Sequence, residues 1–250
     1  MTLEYVPLLQ VQRDLYGLPR GFERFREYIR TMKGSSEDGL DLPLVAMNPM
    51  GKEHVPALLD KLLAFGADVE GARATADAGR QLASVSPAQS FSVCLVLSDD
   101  LKGGWTNRYT SELGYRFEQK PMYRRGWIPT TLWTADTYTA AQVREEVQAS
   151  IYRAAYVQSH GYATTLGEML AQDGWAGVMA GATTPALDEE DLAYTRDVIA
   201  PLRDRTDRAT IVAALFGDAA ARELGYEPLG LSTRAGLALA LDEARASARL

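Results

Sequence analysis

The sequence predicts an α/β fold: a small, mostly parallel sheet of three to four strands flanked by helices, with a predominantly helical C-terminal half. Three observations predict it. Short apolar runs bounded by turn residues occur at 42–47, 91–97 and 127–133. Stretches with helical spacing separate the first two, and strands separated by helices usually pair in parallel. From Thr139 onward the pattern is helical almost without a break.

In chain order, two apolar runs broken by Pro7 and Pro19 fill residues 1–20. Phe22, Phe25, Ile29 and Met32 then recur at helical spacing and predict an amphipathic helix. The small, polar stretch 33–39 reads as a linker, so residues 1–33 are expected as an N-terminal helical arm and 40–250 as one main domain. Residues 42–47 read as a buried strand with Pro43 at its start. Val55, Leu58, Leu59, Leu62 and Leu63 share one helical face, with Pro56 in the first turn and Gly66 at the end. An Ala-rich helix follows from Ala67 to Leu82.

The run 91–97 is the strongest strand signal, continuous in apolar residues as a doubly buried strand should be. An irregular stretch rich in Gly, Tyr and Arg is expected over 101–126, then a strand over 127–133 containing Pro129. Helices are expected to His160, over 166–179, from Asp188, from Asp207 to Gly225, and from Ser232 to about Ala248, each opening on a capping residue where one stands nearby. Residues 211–216 are apolar enough for a fourth strand, but Ala-rich flanks favour helix.

Composition narrows the function classes. A net charge of −7, with Lys and Arg scattered, argues against nucleic-acid binding. No stretch approaches the roughly 20 apolar residues of a membrane span. The N-terminus lacks a basic start and apolar block, and the single cysteine, Cys94, forbids an intrachain disulfide; a cytoplasmic protein is expected. Cys94, inside a strand, reads as a core residue. Gly-x-Ser-x-Gly, His-Glu-x-x-His and Gly-x-Gly-x-x-Gly are absent.

Ligands of parallel sheets gather beyond the carboxyl ends of strands, so candidate residues are sought there. After 42–47 come Gly51, Lys52 and His54 at a helix start: Lys52 can hold an anion, and His54 can serve as base or metal ligand. After 91–97 come Asp99 and Asp100, carboxylates suited to general-base work or to a divalent metal. Trp105, Asn107 and Arg108 offer a stacking wall, an amide and an anion fork. Asp136 reads as the cap of the helix near Thr139, and His160 as a helix-end residue.

The expectation is an enzyme acting on a small anionic molecule: a hydrolase, isomerase or lyase, metal-assisted through Asp99 and His54 or metal-free with Asp99, Asp100 and His54 as catalytic groups. The alternative is a non-catalytic homodimer whose apolar C-terminal helix, with Leu237, Leu239 and Leu241, needs burial in its own core or in a partner.

Overall fold

Three strands, β1 (Thr2–Tyr5), β2 (Ser90–Ser98) and β3 (Trp127–Trp133), pair in parallel in the order β1-β2-β3 in the computed structural model, which describes residues 1–34, 41–83, 89–101 and 106–248. The central strand is apolar on both faces, and Phe91, Val93, Cys94, Leu95, Val96 and Leu97 are all buried. Burial pushes the Cys94 thiol pKa up, which keeps it protonated and inert in the core. Register is in step at the strand ends: Leu97 faces Leu132 and Ser98 faces Trp133.

The expected strand over 42–47 is absent; Leu44–Ala46 forms a 3-10 turn instead. Pro43 has no N–H to give a ladder, and Leu44, Ala46 and Met47 are buried without one. An apolar run demands burial, and pairing is only one way to obtain it. One edge strand is β1, whose exposed and half-buried positions alternate. It reaches only as far as Val93. Further along β2, the side chain of Gln12 takes the place of a strand: its Nε2 donates to the Leu97 carbonyl (3.1 Å) and its Oε1 accepts from the Leu97 N–H (2.8 Å).

By its contacts the chain divides into two compact units. The first comprises Met1–Arg108 and Lys120–Ile151. It holds the sheet with helices α1 (Leu9–Leu15), α2 (Phe22–Lys33), α3 (His54–Ala64) and α4 (Ala67–Leu82). Residues 1–33 therefore contribute one edge strand and two helices to this unit, where the sequence suggests an arm. The linker expected over 33–39 lies, from residue 35 on, outside the described residues.

The stretch 101–126, expected to be irregular, contains α5 (Arg108–Phe117) and α6 (Lys120–Arg124). Leu113 and Phe117 are buried four residues apart, a helical stripe masked by the charged and glycine residues around it. Helix α7 (Ala140–His160) follows β3.

The second unit comprises Tyr109–Gln119 and Tyr152–Leu250 and is helical. Its helices are α8 (Leu166–Met179), α9 (Glu189–Ile199), α10 (Arg208–Phe216), α11 (Asp218–Glu223) and α12 (Ala235–Ala248). Thr165 and Glu168 form a capping box on α8, and Asp188 and Asp207 cap α9 and α10. The expected helix from Asp207 to Gly225 breaks at Gly217, whose φ of 85° no other residue type adopts easily. Residues 211–216 are helical, as the Ala-rich flanks suggest. Leu237, Leu239 and Leu241 are buried, and α12 packs on α8, α9 and α10 within this unit. The apolar surface that prompted the homodimer alternative is thus covered by the chain itself. Among the described residues no helix is long and apolar enough to cross a membrane.

Candidate active site

The carboxyl end of β2 carries the candidate site in the first unit. Because β2 and β3 end in register, the residues that follow them meet: the Thr134 N–H donates to the Ser98 carbonyl at 3.0 Å. Asp99 follows the central strand directly, and its side chain is 2% exposed. A buried carboxylate needs donors. Asn48 Nδ2 lies 2.8 Å from Oδ2, His54 Nε2 lies 2.8 Å from Oδ1, and Thr134 Oγ1 lies 3.2 Å from Oδ1.

Asn48 is itself held in one orientation. Its Oδ1 accepts from the Met50 N–H at 2.9 Å, so its amide group faces Asp99. Its carbonyl accepts from the phenol of Tyr16. Burial, and then the charge of Asp99, push the Tyr16 pKa up, so the phenol remains a donor. Gly51 is required in this turn, because a Cβ there would press on Val55 and the Tyr16 hydroxyl.

His54 opens α3 and is one-third exposed (33%). An ionised carboxylate only accepts, so in the neutral ring the proton sits on Nε2 and the lone pair on Nδ1. Among the described residues Nδ1 has no hydrogen-bond partner. The arrangement is a buried carboxylate orienting a partly exposed imidazole whose Nδ1 lone pair is unengaged.

Asp100 belongs to a second cluster. Its Oδ1 accepts from the Ala135 N–H (2.9 Å) and lies 3.1 Å from Thr134 Oγ1, and its Oδ2 accepts from Arg108 Nη1 (2.7 Å). Arg108 also donates to Asp136 (2.9 Å) and stacks over the Trp133 ring at 4.4 Å. The fork read as an anion clamp is therefore engaged with two carboxylates. Asp136, expected to cap the next helix, instead accepts from Arg108 and Tyr138, and Gln142 receives the Thr139 N–H.

The structure thus joins Asp99 with His54, and Asp100 with Arg108. Lys52 is exposed two residues before His54, and Asn107 is half-buried just before α5. Trp105 lies outside the described residues. Among the described residues no three His, Cys, Asp or Glu side chains converge as a metal site, and the two expected metal ligands, Asp99 and His54, are hydrogen-bonded to each other. His160 stacks on Tyr156 (centroids 4.1 Å apart), with Nδ1 3.2 Å from the Tyr156 carbonyl, in keeping with a helix-end residue.

Sequence reasoning missed Asn48 and Thr134 as partners of Asp99. Thr134 had a signal, since it follows β3 as Asp99 follows β2. Tyr16 had none.

No family model matches the chain, and no solved structure does. The chain is 31% identical over 96 residues to the uncharacterized protein YjfC of Bacillus subtilis (strain 168), a match covering 35% of this chain and 32% of that protein. It therefore spans about a third of that relative's length.

Proposed function

We propose that the protein is an enzyme acting on a small anionic molecule, with His54 as general base and Asp99 as the group that orients it. One observation carries the reading: a 2%-exposed carboxylate, fixed by Asn48, holds His54 Nε2 at 2.8 Å while the imidazole stays 33% exposed. The carboxylate holds the ring in one tautomer, which leaves Nδ1 to take a proton. Lys52, exposed beside it, supplies positive charge for the anion. Asn107 is retained as a polar contact and Asp100 as the partner of Arg108. Proton abstraction at Nδ1 serves hydrolysis, by activating water, and equally isomerisation or elimination. A single cysteine buried in β2 is in keeping with a reducing, cytoplasmic setting.

The test is a turnover screen over small carboxylates and phosphate esters, with His54→Ala as control. Activity is expected to fall about 10²–10⁴-fold in the variant with the fold retained by circular dichroism. Undiminished turnover would overturn the reading. A second readout needs no substrate. In Asp99→Asn, the new carbonyl must face the Asn48 amide, so the new amide faces His54 and donates to Nε2. The ring proton is then expected on Nδ1, visible in long-range nitrogen–proton NMR spectra. Metal content by mass spectrometry separates the metal-assisted version: a stoichiometric divalent ion lost in Asp99→Asn would replace the general-base role of the pair.

A further inference from the structure

The second unit holds a cluster of five charged side chains, of which Glu112, Arg153 and Asp173 are buried. Glu112 on α5 accepts from Arg116 Nε at 2.8 Å and from both terminal nitrogens of Arg234 at 2.9 and 2.6 Å. Asp173 on α8 accepts from Arg116 Nη1 at 2.8 and 3.1 Å and from Arg153 Nε at 2.7 Å. Burial pushes the Asp173 pKa up, but the charges of Arg116 and Arg153 pull it down by more, so this carboxyl is ionised at neutral pH.

Arg153 is the unequal member. Its side chain is 8% exposed, yet only Nε is engaged. Its Nη1 and Nη2 groups have no protein acceptor among the described residues, and neither is fully sealed from solvent. Desolvating a guanidinium is expensive unless its donors find acceptors. Two planar N–H pairs match the two oxygens of a carboxylate or phosphate.

We propose that Arg153 forms an anion-binding site in the second unit, taking a small oxyanion through its two terminal amino groups. Asp173 holds the guanidinium through Nε at 2.7 Å, which leaves the two terminal amino groups for the anion. None of its residues belongs to the His54 cluster.

Thermal unfolding of the full chain with inorganic phosphate or malonate replacing chloride, at constant ionic strength, tests this. The wild type is expected to gain on the order of 3 °C at saturation with at least one probe. Arg153→Met is expected to lose that gain, since Asp173 keeps Arg116 and the fold is retained. His54→Ala is expected to keep it. The tighter of the two probes identifies the group as phosphate or carboxylate. No gain in the wild type with either probe, or an equal gain in Arg153→Met, overturns the site. If Arg153→Met fails to fold, Arg153→Lys decides: about tenfold weaker binding supports the fork, and unchanged affinity overturns it.

Discussion

Asp99 accepts from Asn48, His54 and Thr134, and each of these donors offsets part of the cost of burying its charge. Asn48→Ala leaves Oδ2 without its donor, and is expected to cost about 1.5–3 kcal/mol of stability in urea unfolding. A loss within a few tenths of a kcal/mol would mean that Asp99 has another donor. In the second unit, Asp173 and Asp207 are among the carboxyls that contribute to acid sensitivity. The Arg116 and Arg153 charges, working against burial, leave Asp173 below its ordinary 3.8, and the Thr210 N–H holds Asp207 at about 2. Folded pKa values below unfolded ones give stability that is complete above the unfolded value and lost as pH falls through the folded one. The melting temperature is therefore expected to drop between about pH 4 and pH 2, and to drop less in Asp207→Asn. At this scale the sequence revealed Asp99, His54 and Arg108 as chemically capable. It did not reveal that Arg108 is engaged with Asp100 and Asp136, because partners 8 and 28 residues away leave no local pattern.

Helix boundaries followed the sequence closely where a cap or a glycine marks them: α3 starts at His54 with Pro56 in its first turn, and α4 runs over Ala67–Leu82. The contact between α8 and α12 shows what propensity leaves out. Gly174 lies mid-helix, where alanine would ordinarily gain up to about 1 kcal/mol. Here a Cβ would overlap the carbonyl of Ala240 and crowd Ala244. Overpacking outweighs propensity, so Gly174→Ala is expected to destabilise the protein by about 1–3 kcal/mol in urea unfolding. A stabilised variant would mean that α12 does not approach α8 this closely. The element misread outright was the apolar run 42–47. Its hydrophobicity reports burial, and Pro43 with the 3-10 turn Leu44–Ala46 satisfies that without a ladder. The strand that does pair, β1, has four residues at the sheet edge and too short a pattern to stand out.

For the molecule as a whole, the core of the second unit joins residues far apart in the chain: Leu113 and Phe117 from α5, Leu166 and Leu170 from α8, and Leu237 and Leu239 from α12. Truncation after residue 231 removes α12 and is expected to make 152–231 sensitive to limited proteolysis. A truncated chain that stays resistant and merely dissociates from a partner copy would restore the homodimer alternative. The sequence by itself determined the α/β class, the parallel strands β2 and β3, the helical C-terminal half and the chemically capable residues after β2. Those follow from local periodicity, turn chemistry and composition, all of which act over a few residues. Only the tertiary structure decided that β1 completes the sheet, that the chain forms two units, and that Asn48, His54 and Thr134 meet at Asp99. These depend on strand register and on burial shared between distant segments, which no window of sequence contains.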